Sequence, residues 1–159
     1  MKKLIILLAV VVASATAASA QNYEHGVGLR LGYGLTLDYK WNFSETNSWE
    51  FNLAMPAFNG FMASAAYQWN WPLGDAGIGG QGFNAYAGPA AGVGFLGLPG
   101  YRGFMLGIGG HGGIEYKFNA PIAVGIDVKP MVTFVTGNSF SGIWGNGLAD
   151  IALVARYTF

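Results

Sequence analysis

The stretch from Gly147 to Phe159 alternates. Ile151, Leu153, Tyr157 and Phe159 fall on one face of an extended strand, and Asp150, Arg156 and Thr158 fall on the other. The first face is apolar and ends in aromatic rings; the second is polar and charged. A soluble sandwich would bury the apolar face against a second layer. Nothing after residue 20 has a helical period that could supply one, so the simpler solvent for that face is lipid.

The N-terminal segment agrees with an exported chain. Lys2 and Lys3 precede an apolar run from Leu4 to Val12, and Ala18-Ser19-Ala20 has the small-x-small pattern that a signal peptidase reads. A transmembrane helix needs about 20 apolar residues, more than this run holds. Residues 1–20 are therefore expected to be a cleaved signal peptide, with residues 21–159 forming one domain. The chain has no cysteine, which excludes disulfides and thiolate metal sites.

Composition points the same way. Charged residues make up 10% of the chain, against about 25% in an ordinary soluble domain, while aromatics reach 15% and glycines number 26. Much of the surface is thus expected to face something other than water. Removing Lys2 and Lys3 from the eight basic residues leaves six against eight acidic ones. That balance provides no basic footprint for nucleic acid.

Period-two alternation divides the mature chain into eight strands, at about 25–34, 35–42, 48–58, 61–71, 82–94, 103–118, 121–136 and 147–159. The expected fold is all-β: an up-and-down antiparallel transmembrane barrel of eight strands. Outward positions include Val27, Leu29 and Leu31 in the first strand, Leu35, Leu37 and Tyr39 in the second, and Ile122, Val124, Ile126, Val128, Val132 and Phe134 in the seventh. The aromatics sort into two bands. One holds Trp41, Phe43, Trp49, Trp69, Trp71, Tyr116, Phe118, Tyr157 and Phe159; the other holds Tyr33, Phe58, Phe61, Phe95, Tyr101, Phe104, Phe134 and Trp144. Two girdles around an apolar band mark a membrane barrel, because amphipathic rings settle at headgroup level.

Inward positions collect Arg30, Asp38, Lys40, Glu50, Glu115, Lys117, Asp127, Lys129, Asp150 and Arg156, five of each sign. Buried charges persist when paired, so an ion-pair network filling a narrow lumen is expected. Closing the second hairpin with Trp41 opposite Trp49 sets Lys40 opposite Glu50, and that ion pair is predicted. Gly88, Gly92, Gly94, Gly107, Gly109 and Gly113 are also inward, making room for large neighbours such as Arg30 and His111. Pro56 lies near a rim; Pro89 and Pro130 fall inside strands and are expected to need bulges or irregular pairing.

The pattern resembles the small outer-membrane barrels of the OmpX/OmpA type from Gram-negative bacteria. The resemblance rests on the export signal, the eight amphipathic strands and the closing Leu153-Val154-Ala155-Arg156-Tyr157-Thr158-Phe159. It implies an outer-membrane location and contact with outer-membrane lipids including lipopolysaccharide. It also implies that Tyr157 and Phe159 form the signal read by the barrel-assembly machinery. The peptidoglycan-binding domain carried by many OmpA-like proteins is not seen, so no cell-wall tether is implied. The first two outer loops, near Gly34 and Asn59-Gly60, are short for an adhesin.

Enzymatic chemistry has little to stand on. His25 lies at a rim, and His111 is inward and read as a satisfied lumen residue. His111 and Glu115, four residues apart on one strand, are separated by about 13 Å. Two GxGxxG matches, Gly77-Gly79-Gly82 and Gly107-Gly109-Gly112, open no helix and carry no phosphate-cradling mechanism. No catalytic residue, cofactor or metal site is expected. The leading reading is a non-enzymatic outer-membrane protein: a structural filler, a surface-interaction module, or at most a narrow pore. The alternatives are a lipid A-modifying enzyme and a soluble periplasmic barrel for apolar ligands. Lipid A deacylases of this size carry a His-x-Ser pair, which neither His25-Gly-Val nor His111-Gly-Gly provides. A surface ligand, if bound, is expected to meet the loops Leu96 to Arg102 and Gly137 to Asn146, through Tyr101, Arg102, Phe140 and Trp144.

Overall fold

The computed structural model describes residues 23–56, 60–74, 80–138, 141–144 and 150–159, and the expected signal peptide, Phe58 and Phe140 lie outside them. Ten strand segments follow one another: β1 (His25–Leu31), β2 (Gly34–Trp41), β3 (Asn47–Pro56), β4 (Gly60–Gly74), β5 (Gly80–Leu98), β6 (Tyr101–Phe118), β7 (Ile122–Val128), β8 (Met131–Gly137), β9 (Ser141–Trp144) and β10 (Ile151–Thr158). Each pairs antiparallel with its neighbours, and β10 pairs with β1. Segments β7 and β8 both pair with β6 and form one stave; β9 and β10 form another. The result is a closed eight-stranded barrel with no helix among the described residues. Closure is completed at the chain end, where the backbones of His25 and Phe159 exchange hydrogen bonds of 2.9 and 2.8 Å.

Alternation sorts the two faces as expected. Leu29, Leu31, Ile126, Ile151 and Leu153 are exposed on the outside, Leu153 to 62%, while Asp38, Lys40, Glu50 and Gln68 are 0% exposed within. At the end that holds Tyr23 and Phe159, the two termini of the described residues, rings pack in a continuous run from Phe159 through His25, Trp41, Phe43 and Tyr67 to Trp69. At the opposite rim Phe61, Phe95, Phe104 and Phe134 are exposed.

Of the two expectations for Pro89 and Pro130, bulges or irregular pairing, the second holds: the ladder is interrupted beside Pro89, and the seventh expected strand breaks at Pro130 into β7 and β8, with no bulge at either. Gly112 pairs with Val128 and Gly109 with Met131, so the frame between β6 and the β7/β8 stave is the same on both sides of Pro130. Gly110 donates its N–H to the Pro130 carbonyl at 2.9 Å. The proline removes only the reverse bond, because it has no N–H to return. Pro89 pairs with that same Gly110 from the other side, again in constant register. The β4–β5 ladder skips two rows beside Pro89 and resumes in frame at Trp69 opposite Ala87. Two prolines thus flank one glycine across three strands. The register shifts that do occur lie between Pro72 and Gly74 and between Gly80 and Gly82.

Two expected outer loops are corrected. Leu96 to Arg102 is a two-residue hairpin, since Leu98 pairs with Tyr101 and Gly97 with Arg102. Pro99 pre-sets the first turn position, and Gly100, at φ +79°, takes the second in the left-handed region. Tyr101 and Arg102 are therefore strand residues. Within Gly137 to Asn146, Ser141–Trp144 is strand β9, paired with β8, which makes Trp144 a strand residue too.

Candidate functional site

The lumen is built in two layers. Toward the rim opposite the termini, Leu96, Met105 and Val135 form a buried apolar cluster with Met62 and Leu98 packed against it. Below it the inward side chains of six staves converge on two arginines. Arg156 of β10 donates from Nε to Asp38 of β2, from Nη2 to Glu50 of β3 at 2.8 Å, and from Nη1 to Glu115 of β6 at 2.7 Å. Arg30 of β1 donates from Nε to Asp127 of β7 at 2.7 Å and from Nη1 to Asp150 at 2.7 Å, and its Nη2 reaches the Asp150 carbonyl at 3.1 Å.

His111 of β6 joins the two centres. Its Nδ1 lies 3.3 Å from Glu50 Oε1, and its Nε2 lies 3.1 Å from Asp127 Oδ2. Polar neighbours complete the set. Gln68 and Asn52 donate to Glu50 at 3.1 and 3.0 Å. Tyr23 donates to Glu115 at 2.8 Å. Tyr23 precedes β1, and burial together with the Glu115 carboxylate holds its hydroxyl well above its ordinary pKa range, so it stays a donor.

Eight of the ten charges expected in the lumen are thus in direct ion pairs: Arg30, Asp38, Lys40, Glu50, Glu115, Asp127, Asp150 and Arg156. Lys129 is buried in the field of Glu50, Asp127 and Asp150, and the Lys117 ammonium sits 5.1 Å from the Tyr23 ring centre. One expected pairing is corrected. Lys40 and Glu50 are cross-strand partners, with Trp41 opposite Trp49 as predicted. Yet the Lys40 ammonium bonds Glu115 at 3.0 Å and rests 4.0 Å over the Tyr86 ring, while Glu50 is taken by Arg156. A guanidinium fork satisfies several carboxylate oxygens at once, and an ammonium cannot replace it there.

The cluster members not singled out in advance are Tyr23, Asn52, Gln68 and Tyr86. For the last three, the signal was an inward phase on β3, β4 and β5; attention to charge alone passed over it.

Glu50, His111 and Asp127 each bring one ligand atom within 4.8 Å of the others. Both carboxylates already neutralise guanidinium groups, and a divalent ion there would add positive charge beside Arg30 and Arg156. The chemistry of this donor set is that of an ion-pair core. The space for Arg156 is made by Gly28, where an added Cβ would lie 2.8 Å from Arg156 Cγ and 2.2 Å from the Ala155 carbonyl oxygen. Gly28→Ala is expected to destabilise the barrel by about 1–3 kcal/mol, read as a lower urea midpoint of unfolding.

Tyr157 and Phe159 lie on the outer surface at the terminal end, their rings 6.2 Å apart. No protein-family model, curated protein or solved structure matches this chain. Its chemistry is accordingly read from its own geometry.

Proposed function

We propose that this chain is an integral outer-membrane β-barrel of Gram-negative bacteria, without enzymatic activity, whose filled lumen makes it a structural or surface-interaction element with no open pore. The observation that carries this reading is the inversion of the barrel. Large apolar side chains cover the outer wall of every stave, while Arg30, Asp38, Lys40, Glu50, Asp127 and Arg156 are buried inside. Soluble monomers rarely expose a contiguous apolar patch beyond a few hundred Å². A bilayer accepts such a wall, because closure leaves no unpaired strand edge in the hydrocarbon. Export through a signal peptide and assembly through Tyr157 and Phe159 belong to the same reading.

The lumen also bears on the alternatives. A soluble barrel for an apolar ligand needs an apolar, open interior, and this interior holds a paired charge cluster capped by packed aliphatic groups. The lipid A-modifying reading has no comparable observation behind it, since His111 is enclosed with Glu50 and Asp127.

The test is to express the full precursor in a Gram-negative host, isolate outer membranes and compare unheated with boiled samples on a detergent gel. A faster-migrating unheated band is expected, together with the absence of stepwise conductance when the purified barrel is added to planar bilayers. Soluble periplasmic protein without a heat shift would overturn the membrane reading; regular conductance steps would overturn the filled lumen.

A further inference from the structure

Among the described residues six are basic, and five of them, Arg30, Lys40, Lys117, Lys129 and Arg156, occupy lumen-facing positions. Arg102 alone is on the outer face. It lies on β6 near the rim opposite the termini, exposed, with its backbone tied to the β8 end by two bonds: its N–H donates to the Asn138 side chain at 3.1 Å, and its carbonyl accepts from the Asn138 N–H at 3.2 Å. The backbone is thus fixed while the guanidinium projects from the wall.

What surrounds it is organised by register. Phe61, Phe95, Phe104 and Thr136 stand opposite one another on β4, β5, β6 and β8 and form one outward row. One outward step nearer the rim, Arg102 pairs with Gly97, which leaves the place beside the guanidinium without a side chain. The outcome is a groove of about 510 Å³, lined by the three phenylalanines, Arg102 and Thr136. The Thr136 hydroxyl lies 3.0 Å from that of Ser141, a second polar group on the same side. Phe95 and Phe104 pack edge to face, their ring centres 5.7 Å apart, and the rim carries an apolar slot with a cation at its top.

We infer that this groove binds a phospholipid of net negative charge, with Arg102 and the Thr136 hydroxyl holding the phosphate and an acyl chain lying along Phe61, Phe95 and Phe104. The inference rests on the membrane reading proposed above. A guanidinium fork matches phosphate oxygens in pairs. A cation on a lipid-facing wall is costly unless it reaches water or an anion. Arg102 sits where aromatic rings mark the headgroup level, so the anion within its reach is a lipid phosphate.

The experiment uses the purified full-length mature barrel in nanodiscs of phosphatidylcholine doped with phosphatidylglycerol of the same acyl chains. The lipids retained on the protein are counted by native mass spectrometry. Retained phosphatidylglycerol is expected to exceed its share of the supply by about fivefold. Arg102→Gln should bring the ratio to parity, and Phe104→Ala should lower retention of both lipids while leaving their ratio unchanged. Parity in the wild type, or enrichment that persists in Arg102→Gln, would overturn the proposal, the first showing a guanidinium that merely reaches water. A heat-shifting, inserted barrel at parity overturns the lipid site alone. A protein that fails to insert and shows no heat shift overturns the membrane reading with it.

Discussion

Arg156→Leu is expected to lower the stability of the folded barrel by about 3–5 kcal/mol, the cost of removing one partner from a buried ion cluster. The reason is the number of charges it leaves behind. Arg156 is the shared donor to Asp38, Glu50 and Glu115, which come from three different strands. Without it, Asp38 and Glu50 keep no guanidinium, and Glu115 keeps Lys40 and Tyr23. Those carboxylates must then take up protons or admit water, and either costs free energy. Urea titration of the barrel refolded in detergent micelles measures the loss. Arg156→Lys should recover part of it, since an ammonium retains the charge and lacks the three-way fork. Lys40→Met should cost less than Arg156→Leu, because Glu115 still holds Arg156 and Tyr23. A loss below about 1 kcal/mol for Arg156→Leu would mean the cluster relaxes freely and does not organise the lumen.

Val128→Arg is the complementary experiment on the outer wall. Val128 is exposed on β7, four residues from the outward row that contains Tyr116 and eight from the row that contains Phe104, well inside both. If those rows lie at the two interfaces, the substitution places a cation near the bilayer midplane and should cost about 2–4 kcal/mol. Ile122→Arg, at the terminal end of the same strand and opposite Tyr157, should cost only about 0–1 kcal/mol. The measurement is the folding free energy of each variant in phosphatidylcholine vesicles. A steep difference between two exposed positions is peculiar to a lipid solvent. Equal, small effects at both would count against insertion, because water treats an exposed arginine alike at either height.

The two experiments bear on opposite faces of the same sheet, and both follow from period-two alternation. That alternation is a local property: each side chain's face follows from its neighbours along the strand. The inward set from Arg30 to Arg156 and the outward set from Val27 to Leu153 could therefore be read without coordinates. The Trp41–Trp49 and Lys40–Glu50 register was also legible, because a short hairpin ties cross-strand partners to the turn. Limits appeared where the backbone ladder continues through residues that usually stop it. Gly97, Pro99 and Gly100 together read as a loop, whereas the last two suffice for the turn and the strand runs on to Leu98. Pro89 and Pro130 read as disruptions. Each removes one donor and leaves the register alone.

Face and charge were thus carried by the order of residues, and with them the inverted barrel and its neutral interior. Partner choice inside the lumen was not. Arg156 and Asp38 are 118 residues apart, and Arg30 and Asp127 are 97 apart. Such contacts form only when the sheet closes and opposite walls meet across a space one side chain wide. Lys40 shows the difference plainly: its cross-strand neighbour is Glu50, fixed by the hairpin, and its ion-pair partner is Glu115, reached across the lumen. Closure also decides that His111 sits between Glu50 and Asp127, and that Arg102 stands beside a glycine above three phenylalanines. Alternation along a strand assigns a side chain to a face; the stagger between strands and the curvature of the closed wall decide what it touches.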